Sequence, residues 1–122
     1  LKDYTTICSS APSEQLGVTA LEHGSRILAR NRRILQQNLG LFTDLVRRHP
    51  EVLRHNPGQG GSIIFPSFRD GRSGAEFSRK LREKANLLML SGDLFDMPEH
   101  FFRVGLGRAG LGETLELFEE NL

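Results

Sequence analysis

The stretch His100-Phe101-Phe102-Arg103-Val104-Gly105-Leu106-Gly107 reads as a strand with one arginine set inside it. At a period of two, Phe102, Val104 and Leu106 share one face, while Phe101, Arg103, Gly105 and Gly107 share the other. The first face belongs to a core. The second sets a guanidinium beside two residues that lack side chains, which leaves room for a small molecule to reach the backbone next to a fork of donors. Such a fork grips a carboxylate through two parallel charge-assisted hydrogen bonds. The plainer alternative is an arginine that points to solvent or pairs with a structural Asp or Glu. On pattern alone that alternative is favoured.

Before this strand lies the loop Ser91-Gly92-Asp93-Leu94-Phe95-Asp96-Met97-Pro98, and before the loop Leu87-Leu88-Met89-Leu90, which reads as a buried strand. After it, residues from about 111 to 122, with Leu115 and Phe118, make a closing helix; residues 74 to 85, with Phe77, Leu81 and Ala85 in register, make another. Ser62-Ile63-Ile64-Phe65-Pro66 is a strand that Pro66 ends or places at an edge, and Asn56-Pro57-Gly58-Gln59-Gly60-Gly61 ahead of it is turn material. The longest element is a helix capped by Ser25, with Ile27, Leu28, Ile34, Leu35, Leu41, Phe42, Leu45 and Val46 as an apolar stripe, ending before Pro50. A first helix starts on the chemistry of Pro12-Ser13-Glu14, carries Leu16, Ala20 and Leu21, and ends at Gly24. Tyr4-Thr5-Thr6-Ile7-Cys8 is a short extended lead-in. The expected fold is α+β, a small α/β layer: long N-terminal helices and two further helices packed on a small sheet of about three strands, one domain over residues 1–122.

Composition narrows the function classes. The 122 residues, 38% of them hydrophobic and eight of them Phe, suffice for a modest core and argue against disorder. Sixteen Lys and Arg against fifteen Asp and Glu give a net charge of +1, which offers no general attraction to nucleic acid or an anionic membrane. The single Cys8 excludes an internal disulfide and a multi-cysteine zinc site, and suits a reducing, cytoplasmic location. No apolar run approaches the ~20 residues of a membrane span, and no signal peptide opens the chain. The start at Leu1 points to a piece of something larger.

Other motifs carry less. Gly105-Leu106-Gly107-Arg108-Ala109-Gly110 has the spacing of a dinucleotide fingerprint, but no second strand with an acidic residue ~20 positions on follows it. Its glycines suit the turn into the last helix, with Gly105 giving close approach beside Arg103. His23, His49, His55 and His100 have no metal-ligating or catalytic spacing. Arg26, Arg30, Arg32, Arg33, Arg47 and Arg48 make the long helix basic without interleaved aromatics, which reads as a solvated face. Ser9, Ser10 and Ser13 lack a base at a recognisable offset.

Ala85-Asn86-Leu87-Leu88-Met89-Leu90-Ser91-Gly92-Asp93-Leu94-Phe95, followed by His100 to Arg108, resembles the end of a class I/II aminotransferase. In these pyridoxal-phosphate enzymes of fold type I, a strand, a loop of the type Pro-Gly-x-x-Phe-Gly and a strand of the type Phe-Arg-Ile-x-Phe close the small domain. Gly61-Ser62-Ile63-Ile64-Phe65-Pro66 resembles a small-domain strand, Arg30-Asn31-Arg32 with Asn38-Leu39 resembles the long helix, and Tyr4-Thr5-Thr6 through Ser13-Glu14 resembles the segment returning from the large domain. Essentially the whole chain is covered. The loop has Ser91 where the family often has Pro, and Asp96 where it often has Gly.

The resemblance implies a C-terminal small domain in which Arg103 binds the α-carboxylate of the amino-acid or 2-oxo-acid substrate, and Phe95 lines the substrate pocket. It also implies pyridoxal 5'-phosphate in the parent enzyme, a large domain of the same polypeptide and a homodimer. Lys2, Lys80 and Lys84 match no Schiff-base lysine of the family, so this chain alone is expected to bind no cofactor and to be inactive. The alternatives are a stand-alone carboxylate-binding module, or a structural module in which Arg103 pairs with Asp93 or Asp96.

Overall fold

The computed structural model describes residues 8–56, 58 and 60–122. The lead-in at residues 4–7 and Lys2 lie outside them. The chain divides into two compact units, Leu1–Arg33 and Ile34–Leu122.

The first unit holds helix α1, Ala11–Glu22. Ser10 caps it, its hydroxyl accepting from the Ser13 amide at 3.3 Å, and Pro12 occupies the first turn, where no intrahelical amide bond is lost. None of its residues is buried. Helix α2, Gly24–Arg48, begins one residue later and runs on into the second unit. Ser25 does not cap it, contrary to the sequence reading. The carbonyl of His23 already accepts from the amides of Arg26 and Ile27, so the single residue His23 separates the helices and Gly24 is itself helical.

The second unit is built on two antiparallel sheets. Strands β1 (Leu53–Arg54) and β3 (Ser67–Phe68) form a two-stranded sheet. Strands β2 (Ile63–Ile64), β5 (Phe102–Gly105) and β4 (Leu90–Ser91) form a three-stranded one in the order β2-β5-β4. The central strand is therefore the arginine strand. An isolated bridge between Ser67 and Phe101, and a bond from the Phe102 amide to the Pro66 carbonyl at 3.0 Å, carry the pairing on toward β3. Helix α3, Gly74–Ala85, is capped by Ser73, and helix α4, Leu111–Glu119, closes the unit. The α+β class stands, with a second, two-stranded sheet beyond the three strands expected.

The alternation read in the arginine strand places Phe102 and Leu106 in the core at 1% and 2% exposure, while Gly105 and Gly107 face outward. Phe68, Phe77, Phe102 and Phe118 meet at the centre: Phe68 stacks on Phe102 at 4.8 Å, and Phe77 lies edge-on to Phe68 and Phe118. Phe42 and Leu45 of α2 and Leu81 of α3 are fully buried with them.

The run Leu87-Leu88-Met89-Leu90 is not the buried strand expected. Asn86 ends α3 in the left-handed conformation, and the Leu87 amide bonds back to the Leu81 carbonyl, so the start of the run closes the helix. Only Leu90 joins the ladder, and Leu88 is largely exposed.

Candidate functional site

Arg103 sits in the middle strand, opposite Leu90 of β4, with Val104 next to it paired to Ile64 of β2. A residue flanked on both sides by ladders has its backbone held, so the direction in which its side chain leaves is set. Its guanidinium carbon lies 5.4 Å from the ring centroid of Phe95. The two residues singled out in the sequence are thus in contact. Phe95 in turn meets Phe65 edge-on, with centroids 5.3 Å apart.

Phe95 ends a 3-10 helix, Gly92–Phe95, and close packing of backbone on backbone places that turn. The Gly92 amide donates to the Phe101 carbonyl at 2.7 Å, and a Cβ on Gly92 would fall 2.8 Å from the Pro98 carbonyl oxygen and the Phe101 Cβ. Gly74 meets the same segment from α3, where a Cβ would fall 2.8 Å from the Glu99 carbonyl oxygen. Any side chain at either position would push the turn off the strand. Asp96 follows with φ +56°, the left-handed region that glycine adopts freely and that Asp tolerates better than most residues.

The turn after the strand is held from α2. Asn38, 6% exposed, donates from its side-chain amide to the carbonyls of Leu106 at 2.7 Å and Arg108 at 2.8 Å. Gly110, at φ +81°, then leads into α4. Of the fingerprint-like glycines, Gly110 serves the turn as expected. At Gly105 a Cβ would meet nothing within 4 Å, so the chain itself makes no close approach there.

The ion pairs among the described residues are Arg47–Asp44, Arg48–Glu119, His49–Glu119 and Arg72–Asp70. Arg103 is in none of them, and the pairing with Asp93 or Asp96 considered from the sequence is not formed. Arg103 also borders an open cleft of about 360 Å³, shared with Phe42, Leu88, Met89, Arg108 and Leu111. A cation held on an aromatic face, with no acidic partner among the described residues, can receive a small carboxylate.

Lys80 donates to the Asn121 carbonyl at 2.7 Å and lies over Phe77, and Lys84 projects from the exposed side of α3. No group of three or more metal-ligating side chains occurs among the described residues, and no described helix is long and apolar enough to cross a membrane.

No family model and no curated protein sequence matches the chain. Solved structures do. A PLP-dependent aminotransferase from Streptococcus suis 89-1591 is 26% identical, with a TM-score of 0.84 over 98% of this chain and 31% of its own. The PLP-dependent cyclase OrfR is 25% identical, with a TM-score of 0.83 over 98% of this chain and 33% of its own. LysN, the α-aminoadipate aminotransferase from Thermus thermophilus, shares the fold at 20% identity, with a TM-score of 0.72 over 88% of this chain and 29% of its own. The resemblance read from the sequence is borne out: the chain matches a domain of PLP-dependent aminotransferases and spans about a third of the length of the first two structures.

Proposed function

We propose that this chain is the C-terminal small domain of a PLP-dependent aminotransferase, and that Arg103 holds the α-carboxylate of the amino-acid or 2-oxo-acid substrate. The observation that carries this reading is the state of Arg103: fixed in the central strand, stacked on Phe95, and without an acidic partner among the described residues. The enzyme moves an amino group from an amino acid to a 2-oxo acid, with the cofactor and its lysine carried by the large domain of the same polypeptide. Arg103 supplies binding and orientation. Two parallel bonds fix the carboxylate, and with it the direction in which the α-hydrogen points. Phe95 lines the mouth of the same pocket, and rotation of this domain closes it over the substrate. The parent enzyme is a cytoplasmic homodimer.

The test is an amino-transfer assay on the intact protein loaded with pyridoxal phosphate, wild type against Arg103→Ala. The variant is expected to raise KM strongly and to lower kcat as well, because a misoriented substrate is bound less well in the transition state too. An unchanged kcat/KM overturns the assignment. The isolated chain, incubated with pyridoxal phosphate and reduced with borohydride, is expected to show no stoichiometric label. One defined labelled lysine would overturn the claim that it cannot transaminate.

A second reading keeps the domain and its arginine but changes the reaction, since one of the matched structures is a PLP-dependent cyclase. Turnover of an amino acid without release of a 2-oxo acid would favour it.

A further inference from the structure

We infer that Phe65 and Phe95 are positioning residues for Arg103: Phe95 fixes the plane of its guanidinium, and Phe65 fixes Phe95. This rests on the reading of Arg103 as the carboxylate anchor. The three side chains come from separate places, the central strand, the 3-10 turn and the Phe65-Pro66 link between β2 and β3, and they form one contact chain. The chemistry explains why a ring, and not an acid, lies beside this arginine. An aspartate or glutamate would hold the side chain by occupying its N–H fork. A phenylalanine face attracts the cation through the ring quadrupole and uses none of its five N–H donors, so the fork stays open for two parallel bonds to an incoming carboxylate.

Holding the plane matters because an arginine side chain is long and rotamer-rich, and a free one must be ordered at the moment of binding. Phe95 is 38% exposed, with the Phe65 ring against it and the arginine over its face. Edge-on contact from Phe65, with the rings inclined at 71°, removes the freedom of Phe95 to swing away. Phe95, at the mouth of the pocket, on this account acts on the bound carboxylate through Arg103.

The experiment compares two substrates in the intact protein: an amino acid, and the corresponding amine that lacks the carboxylate. Phe95→Leu is expected to lower the acid-to-amine ratio of kcat/KM about threefold to thirtyfold, the range of a cation–π contact between exposed and desolvated settings. Phe95→Tyr, which keeps a ring face, restores most of it; Phe65→Leu gives a smaller loss of the same kind. On an Arg103→Ala background, Phe95→Leu adds nothing to the ratio. Equal losses for acid and amine, or losses that add to those of Arg103→Ala, overturn the inference. If Arg103→Ala itself leaves the ratio unchanged, the carboxylate reading has failed instead. The positioning is then read on its own from the Arg103 Nε–Hε NMR signal, which the Phe95 ring shifts upfield. Loss of that shift and of its order in Phe95→Leu, with both kept in Phe95→Tyr, supports the inference; an unaltered signal in Phe95→Leu overturns it.

Discussion

Arg72 and Arg103 both lie against phenylalanine, yet among the described residues only Arg72 also has an acidic partner. The Arg72 guanidinium carbon is 5.3 Å from the centroids of both Phe68 and Phe77. Its Nε and Nη2 donate to the Asp70 carboxylate at 2.7 and 2.5 Å, and its Nη1 donates to the Leu122 carbonyl at 3.0 Å. These hydrogen bonds hold the Asp70 carboxyl below its usual range. Both rings beneath Arg72 belong to the core, whereas the ring beneath Arg103 is partly exposed and Arg103 has no acid at hand among the described residues. Within one unit, an arginine whose fork is filled ties elements together. One that lies on a ring and meets no acid among the described residues is suited to a carboxylate from outside.

The comparison breaks first at the rings. Phe77→Ala empties a core site and is expected to cost about 3–5 kcal/mol of stability, while Phe95→Ala stays within about 1 kcal/mol. Urea unfolding midpoints of the two variants separate these outcomes, and equal losses would erase the distinction. Next come the arginines. Arg103→Ala should lower kcat/KM of the intact enzyme about a hundredfold to a thousandfold, the worth of two charge-assisted hydrogen bonds, and leave the melting temperature almost unchanged. Arg72→Ala should do the reverse, destabilising by roughly 1–2 kcal/mol with no change in KM.

Acid gives the finest discrimination. Glu119, bonded by Arg48 and His49, has its carboxyl lowered from 4.5 to about 2. A carboxyl lowered on folding contributes stability above its unfolded value and loses it as the pH falls through its folded one. Stability from Glu119 is therefore complete above pH 4.5 and fades toward about pH 2, and Asp70 adds a loss of the same sign below its usual 3.8. His55, whose ring is held neutral by burial against Phe42, begins its own loss below pH 6.5. Melting temperatures followed from pH 7 down to 2 should fall first through His55, then through Glu119 and last through Asp70. Glu119→Gln and Asp70→Asn should flatten the lower part, and Arg103→Ala should leave the profile unchanged.

Local pattern made much of this legible. The helix at residues 74 to 85 falls where its periodicity places it, because Phe77 and Leu81 bury one face of a segment that begins at a good cap, Ser73. The alternation of Phe102 and Leu106 against Gly105 and Gly107 marks the core face of the central strand for the same reason. Phe65, Gly74 and Gly92 gave no such signal. The part each plays depends on a backbone or ring brought from a distant segment, Phe95 at one and the turn at residues 98–101 at the others. Asn38 stands out in the sequence only through the family likeness, and its task, two bonds to carbonyls 68 and 70 residues away, has no local trace.

The order of the helices and the buried face of the arginine strand came from the sequence alone, since periodicity and capping act over a few residues; Arg103 and Phe95 became candidates through the likeness of motif order to a known family. Which strand is central, that β1 and β3 form a ladder of their own, that Leu88 is exposed, and that Arg72 meets an acid while Arg103 meets a ring were decided only by tertiary structure. Two-residue strands carry too little pattern to name their partners, and whether an arginine's donors are taken depends on groups the fold brings within 4 Å.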